Sequence, residues 1–166
     1  MEHPPLDKIR AEHFALGQRV RRLEAEFQRR RREASGAAWA GNMLELLDEF
    51  DRELREHFAF EERGGYFSEI LAVAPRLSQR VTQLKEHHVE YGAYSGRLLD
   101  LARTAASESD WEAVQARAEA LLMALGEHEA EENELVREAF ADDRGAPAES
   151  APPGGSLGER PTRRSP

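Results

Sequence analysis

Cysteine is absent from the sequence, and aromatic residues make up only 7% of its 166 positions. The absence of cysteine excludes disulfide bonds, thiolate metal ligands and iron–sulfur clusters, so a bound metal must be held by nitrogen and oxygen atoms. No apolar run approaches the ~20 residues that a membrane-spanning helix needs, and residues 1–5 lack the basic and apolar regions of a signal peptide. We therefore expect a cytoplasmic location and no membrane partner.

The balance of charge is acidic, with 32 Asp and Glu against 23 Lys and Arg and a net charge of −9. This excess of negative charge disfavours non-specific attraction to nucleic acid or to an anionic membrane surface. Leu, Ala, Glu and Arg are abundant while β-branched residues are scarce, which favours helices over strands. The length suits one domain with a single sizeable core, so we expect one all-α domain.

Apolar residues at the three- and four-residue spacing of an amphipathic helix first occur from Leu6 to about Arg32. The four consecutive arginines 29–32 lie near the end of this helix, where cations complement the helix dipole, and we expect them to be solvated. Residues 35–41 are interpreted as a connection. Asn42 and Glu45 then resemble a capping box that opens the second helix.

Two further helices are predicted downstream. Pro75 suits the first turn of the third, and Ser109 with Glu112 forms a capping-box pattern for the fourth. Four such helices with fairly short connections predict an antiparallel up-down four-helix bundle. The apolar pattern ends near residue 141, so we expect a metal-binding domain over 1–141 and a disordered tail rich in Pro, Gly and Arg over 142–166.

A glycine pair, Gly64 and Gly65, follows the second helix. Glycine weakens a helix interior, so the pair is expected to stop or kink the helix. The alternative is that the missing side chains open access to a site beside Glu61. The apolar segment 66–71 then either continues the helix or folds over one end of the bundle.

Histidine and glutamate interrupt the apolar stripes of all four helices. A lone imidazole in such a stripe is more often a hydrogen-bonded core residue than a ligand, but an unpaired buried carboxylate costs several kcal/mol. No Lys or Arg occupies a neighbouring stripe position, and alternating helices bring the six side chains to one level, roughly 10–20 Å from the same end of the bundle. We therefore predict a cation site formed by His13, His57, Glu61, His88, His128 and Glu132.

Comparison of the first and third helices selects one of two adjacent histidines. Residues 9–16 align with 84–91, which places His88 opposite His13 and leaves His87 in reserve. Glu62 lies one position off its stripe and is expected to face solvent. Tyr91 and Tyr94 lie within two turns of His88, and we interpret them as core aromatics, with a redox role as the alternative.

The proposed ligand types restrict the metal. Imidazole with carboxylate suits iron, zinc, manganese or cobalt and disfavours calcium and magnesium. The two similar halves of the set predict two metals about 3.5–4 Å apart, bridged by Glu61 and Glu132. Such a site has room for a bridging water, hydroxide or oxide and leaves an exchangeable position for a small ligand.

From about residue 6 to residue 140 the chain resembles the hemerythrin-like family of histidine-histidine-glutamate cation-binding domains. The resemblance rests on the lone histidines 13 and 88 and on the two His-x-x-x-Glu motifs, 57/61 and 128/132. It implies a non-haem di-iron centre, with iron ahead of zinc or manganese. Relatives serve in dioxygen carriage, in dioxygen or nitric oxide sensing, and in iron handling or repair.

Two departures separate the sequence from the oxygen-carrying members of that family. The positions four residues from His88 are Leu84 and Gly92 rather than histidine, and the residue five after His128 is Asn133 rather than aspartate. The four-histidine, two-glutamate set favours binding or sensing of dioxygen, nitric oxide or peroxide, or a role in iron homeostasis, and no catalytic residue is assigned. The alternatives are a di-iron oxidase or peroxidase, and a helical interaction module with a structural zinc or no metal. A homodimer and a signalling partner both stay open.

Overall fold

The computed structural model describes residues 4–32, 37–63 and 65–141. Their regular structure comprises α1 (Pro4–Arg32), α2 (Ala37–Arg63), α3 (Tyr66–Val73), a short 3-10 helix (Pro75–Leu77), α4 (Ser78–Thr104) and α5 (Glu108–Ala141). The four long helices form the predicted antiparallel bundle, in which α1 and α4 each pack against both α2 and α5. None of the described helices combines the length and apolar character that crossing a membrane requires. The predicted tail, 142–166, lies outside the described residues.

The second long helix begins earlier than predicted. Ala37 starts α2, so Asn42 is an exposed residue inside the helix and not its cap. The physical reason is that alanine is the best helix former and that Trp39 anchors this first turn. The indole of Trp39 is buried, meets Trp111 of α5 edge-to-face at 5.1 Å and donates from Nε1 to the carbonyl of Glu26.

The capping box of α5 lies two residues before the predicted one. The Asp110 amide donates to Ser107 Oγ at 3.2 Å, and the Ser107 amide donates to Asp110 Oδ2 at 2.8 Å. This reciprocal pair is the capping-box arrangement, with Ser107 as the cap. Its hydrogen bonds lower the pKa of the Asp110 carboxyl. Ser109, the predicted cap, is already in the first turn.

The helix stop predicted at the glycine pair is present. α2 ends at Arg63, and Gly65 has φ 93°, a left-handed conformation that favours glycine. Gly64 lies outside the described residues. The segment that follows is a separate helix, α3, which packs against α1, α2 and α5 and buries Tyr66, Phe67 and Ile70 at one end of the bundle.

The prediction that the arginine run is solvated is wrong for Arg30. This side chain is 7% exposed and donates to Gln115 Oε1 at 3.2 Å and to the Glu108 carbonyl at 3.1 Å. Its guanidinium also pairs with the Glu108 carboxylate and lies 5.6 Å from the ring centre of Trp39. Arg30 is buried because a long side chain can reach polar partners on α5 while its stem covers apolar surface.

The apolar core has two parts, separated by a polar layer. The larger part surrounds the two tryptophans and extends to Leu54 on α2 and Leu125 on α5. The smaller part joins α3 to Leu84 and Leu135. Along the helices, His57 follows Leu54 and His128 follows Leu125. On α4, His88 follows Leu84. The predicted site therefore lies between the two apolar clusters.

Candidate metal centre

Six side chains from four helices converge in the polar layer. Because residues four apart lie on one helical face, α2 presents His57 with Glu61 and α5 presents His128 with Glu132. The two glutamate side chains are 0% exposed, whereas that of His13 on α1 is 12% exposed. The structure thus brings together the whole predicted set: His13, His57, Glu61, His88, His128 and Glu132.

The six residues form two overlapping groups of four. We call His13, His57, Glu61 and Glu132 the α1/α2 position, and the second group the α4/α5 position. Each member offers one ligand atom, and within a group these atoms all lie within 4.8 Å of one another. The two glutamates belong to both groups, while each histidine belongs to one. The α4/α5 position consists of Glu61, His88, His128 and Glu132.

Glu61 directs its two oxygens to different groups. Oε1 lies 3.1 Å from Nε2 of His13 and 3.1 Å from Nε2 of His57, while Oε2 lies 3.1 Å from Nε2 of His88. This is the orientation of a carboxylate that can bridge two cations.

Glu132 repeats the arrangement from the opposite helix. Its Oε2 lies 3.2 Å from Nε2 of His13, and its Oε1 lies 3.4 Å from Nε2 of His128 and 3.8 Å from Nε2 of His88. Two carboxylates thus connect the same two groups.

Several ligand atoms in this layer lack hydrogen bonds. Oε2 of Glu61 and both oxygens of Glu132 are buried without one, because the short contacts to imidazole nitrogens do not have hydrogen-bond angles. Nε2 of His88 also faces Nε2 of His128 at 3.1 Å, so two ring nitrogens of the same kind point at one another. Buried polar atoms are normally satisfied, and convergent lone pairs are satisfied by a cation. The residues therefore fit a metal.

The sequence model of the hemerythrin HHE cation-binding domain matches residues 2–139. The chain belongs to this family. Neither the search of curated proteins nor the search of solved structures finds a significant match. The family-level resemblance drawn from the two His-x-x-x-Glu motifs is confirmed, and the chain contains a hemerythrin-like metal-binding domain with clustered histidine and glutamate ligand candidates.

In the metal-free hemerythrin domain, protonated imidazoles balance the carboxylates. Burial opposes a charge on His13, but the adjacent Glu132 and Glu61 carboxylates outweigh it and raise its pKa to about 10. The same opposing effects raise the pKa of His88 to about 9. Burial would raise the pKa of Glu61, yet the histidines in close contact with it lower it to about 2, and the pKa of Glu132 is likewise well below its usual range.

Glu62 is exposed, as expected, but it also makes a contact that was not predicted. Its side chain is 40% exposed, but Oε1 lies 3.0 Å from Nδ1 of His88. His87, the reserve ligand, belongs to neither group of described residues, and its Nδ1 lies 3.4 Å from Nδ1 of His128. The helical stripe could not reveal these contacts, since both side chains reach across to another helix. The one available signal was the presence of polar residues directly beside stripe ligands.

Aromatic rings pack against the α4/α5 side of the hemerythrin centre. Phe58 stacks on His88 with ring centres 4.2 Å apart and planes 10° apart, and Phe67 of α3 lies 5.7 Å from the same imidazole. Tyr66 is 1% exposed, and burial together with the nearby Glu132 and Glu61 raises its pKa. These rings exclude water around His88. Sequence reasoning had not assigned Phe58, Phe67 or Tyr66 to the site.

Tyr91 also borders the layer. Its half-buried ring stacks on His87 at 5.4 Å and meets His128 nearly at right angles at 5.8 Å. This placement agrees with the interpretation of Tyr91 as an aromatic packed beside the ligands. Tyr94 lies half-buried against the larger apolar cluster, with Arg97 5.8 Å from its ring centre.

Proposed function

We propose that this hemerythrin domain holds two iron ions and binds a small ligand, either a diatomic gas or peroxide, in a sensing, redox or iron-homeostasis role. The observation that carries the proposal is the orientation of the two glutamates. Each directs one oxygen to the α1/α2 position and the other to the α4/α5 position. Two groups that share two buried carboxylates are suited to two neighbouring cations of the same kind.

The donor set supports iron. Each position offers two imidazoles and two carboxylates, and histidine with carboxylate around open sites is the pattern of non-haem iron. Iron in such a site supplies reversible redox chemistry and an affinity for dioxygen, nitric oxide and peroxide. Calcium and magnesium are disfavoured because they take oxygen ligands.

The surroundings of the site support a small ligand. The other five ligand side chains are at most 3% exposed, and His13 at 12% is the most accessible member of the set. Phe58 and Phe67 cover His88, so the most exposed ligand candidate lies on the α1/α2 side. A site this buried suits molecules of two to a few atoms and disfavours a large organic substrate.

Metal analysis tests the iron content. The full chain, made in iron-replete cells and purified without oxygen, should hold about two irons per chain. Replacing His57 and Glu61 together by Ala should remove this iron, because both positions lose ligands. Glu56→Ala is the matched control, since Glu56 is exposed, adjoins His57 and belongs to neither group. Two zinc ions in place of iron, or no metal after gentle purification, would overturn the proposal.

Ligand binding is tested on the same preparation. Dioxygen and then nitric oxide are added to the reduced protein while the absorption spectrum is recorded. A stoichiometric spectral change with each gas is expected. Continued consumption of dioxygen in the presence of a reductant would instead indicate an oxidase. An unchanged spectrum with both gases and with peroxide would contradict the proposed ligand class.

A further inference from the structure

The two positions differ in the partners of their histidines at Nδ1, the ring nitrogen that faces away from the shared glutamates. At the α4/α5 position, both outer ring nitrogens have a partner. Nδ1 of His88 lies 3.0 Å from Oε1 of Glu62, and Nδ1 of His128 lies 3.4 Å from Nδ1 of His87. In each case Nε2 points inward to the shared glutamates, so the partner contacts the side of the ring that a metal does not use.

Within the described residues, the histidines of the α1/α2 position have no such hydrogen-bond partner, although the Glu129 carboxylate interacts electrostatically with both. Nδ1 of His57 is buried and has no hydrogen-bond partner. His13 makes its hydrogen bond with Glu61 through Nε2, and among the side chains that the structure describes nothing bonds to its other ring nitrogen. The two rings contact each other edge-on, with centres 5.0 Å apart.

Outer partners affect how well an imidazole binds a metal. When Nε2 is the ligand atom, Nδ1 carries the proton, and a carboxylate that accepts this proton fixes the tautomer, orients the ring and raises its basicity. Glu62 is placed to do this for His88, while the parallel ring of Phe58 restrains the plane of the same imidazole. For His57 we expect a buried Nδ1–H without an acceptor, and the free-energy cost of removing that group from water is then not offset by a hydrogen bond.

We propose that the two metal positions are unequal, with the α4/α5 position retaining its metal and the α1/α2 position exchanging it, and that Glu62 is the positioning residue that creates the difference. This inference rests on the proposed function only in requiring two bound metals. The exchanging position is also the one with the partly exposed His13, so the less supported metal is the more accessible one.

The internal duplication of the chain supplies a matched control. Glu62 follows Glu61 on α2, and Asn133 follows Glu132 at the corresponding place on α5. Asn133 is exposed, and no hydrogen bond connects it to a histidine within the described residues. Glu62 and Asn133 therefore occupy equivalent positions, and of the two only Glu62 contacts a candidate metal-binding histidine.

The test measures metal release from the full chain. The metal-free protein is loaded with two equivalents of Fe²⁺ without oxygen or, separately, with Zn²⁺, and a chelator is added in excess. Wild type should release its metal in two phases of similar amplitude. Glu62→Ala should accelerate the slow phase by on the order of 10–100-fold, because removing an outer partner lowers metal affinity by about that factor and we expect the loss to fall on the release rate. Glu62→Gln should have a smaller effect because its amide oxygen still accepts, and Asn133→Ala should change neither phase.

Ligand variants assign the phases. His13→Ala should keep the slow phase and lose the fast one, whereas His88→Ala should lose the slow one. Circular dichroism checks folding, and Glu62→Ala should remain helical because the side chain is 40% exposed.

The failures of the two proposals are distinguishable. Two irons that leave wild type in one phase, or a slow phase that Glu62→Ala does not change, would overturn the inequality while leaving the di-iron function standing. Two phases with Zn²⁺ but no binding of Fe²⁺ would overturn the iron proposal and support the inequality. Binding of neither metal would overturn both.

Discussion

Glu61 on α2 and Glu132 on α5 lie one turn after His57 and His128, and each carboxylate faces both groups of candidate ligands. Replacing either glutamate should therefore have a larger effect on metal content than replacing a histidine. We expect Glu61→Ala to retain almost no metal and His13→Ala to retain about one metal per chain. The metal-to-protein ratio, measured by plasma mass spectrometry on helical protein, checks this. Loss of a single metal from Glu61→Ala would show that this carboxylate serves only one position.

Metal binding at pH 7 should release protons. The pKa of His13 is about 10 and that of His88 about 9 in the metal-free protein, so both imidazoles are protonated at neutral pH and must lose a proton to bind a metal. We expect about two protons per chain, measured by calorimetric titration with Zn²⁺ in buffers of different ionisation enthalpy.

A variant and a change of pH provide the controls for proton release. His88→Ala should release about one proton fewer at pH 7, and wild type should release fewer protons at pH 10, where His88 is mostly neutral and His13 is about half protonated. Heats that do not depend on the buffer at pH 7 would mean that the imidazoles are neutral in the metal-free protein.

The stability of the metal-free protein should fall as pH rises above neutrality. A histidine whose pKa is raised by folding stabilises the protein fully below its unfolded pKa of 6.5, and this contribution is lost as pH rises through about 9 for His88 and about 10 for His13. Urea unfolding midpoints at pH 6 and pH 10 measure the loss. The metal-loaded protein should lose less over this interval because its imidazoles carry no titrating proton. A higher midpoint at pH 10 than at pH 6 would contradict the raised pKa values.

For the carboxylates, stability changes with pH in the opposite direction. Folding lowers the pKa of Glu61 from 4.5 to about 2, so its contribution is complete above pH 4.5 and is lost as pH falls through about 2. Together, the histidines and Glu61 predict that this layer stabilises the metal-free protein most between pH 4.5 and 6.5. Glu61→Gln should flatten the acid side of the curve.

The periodicity of the sequence predicted the layer of histidines and glutamates because a helix of 3.6 residues per turn fixes which side chains share a face. That rule allows only one of His87 and His88 to face the core, the comparison with the first helix selected His88, and the structure places His88, not His87, in the α4/α5 group. Periodicity gives only the direction in which a side chain leaves its own helix. It could not predict that Glu62 reaches His88, 26 residues away, or that Arg30 reaches Gln115, 85 residues away.

Helix starts were predicted less well, because several short patterns matched a capping box and only tertiary contacts select among them. Asn42 with Glu45 fits the pattern, but burial of Trp39 against Trp111 extends α2 back to Ala37. The sequence shows that both tryptophans are apolar and does not show that they meet.

Replacing Ser107 should cost about 1 kcal/mol of unfolding free energy, since its hydroxyl accepts from the Asp110 amide at the start of α5. Ser109→Ala is the matched control and should change stability by only a few tenths of a kcal/mol, because Ser109 lies inside the first turn. Asn42→Ala should be neutral or slightly stabilising, as alanine is the better former of a helix interior. Urea unfolding of the three variants checks this, and a larger loss from Ser109→Ala than from Ser107→Ala would restore the cap predicted from sequence.

Gly65→Ala should destabilise the protein through its backbone. An added Cβ would meet only Ser68 Oγ at 3.7 Å, an ordinary contact, but φ at Gly65 is 93°, where an L-residue is strained by about 1–2 kcal/mol. Gly126→Ala is the control, because Gly126 lies inside α5 with nothing within 4 Å of its added Cβ and should gain up to about 1 kcal/mol. Thermal and urea unfolding of the metal-free proteins measure both changes. Gly65→Asn should cost less than Gly65→Ala, since asparagine tolerates the left-handed region better, and equal costs would mean that crowding at α3, not backbone strain, sets the penalty.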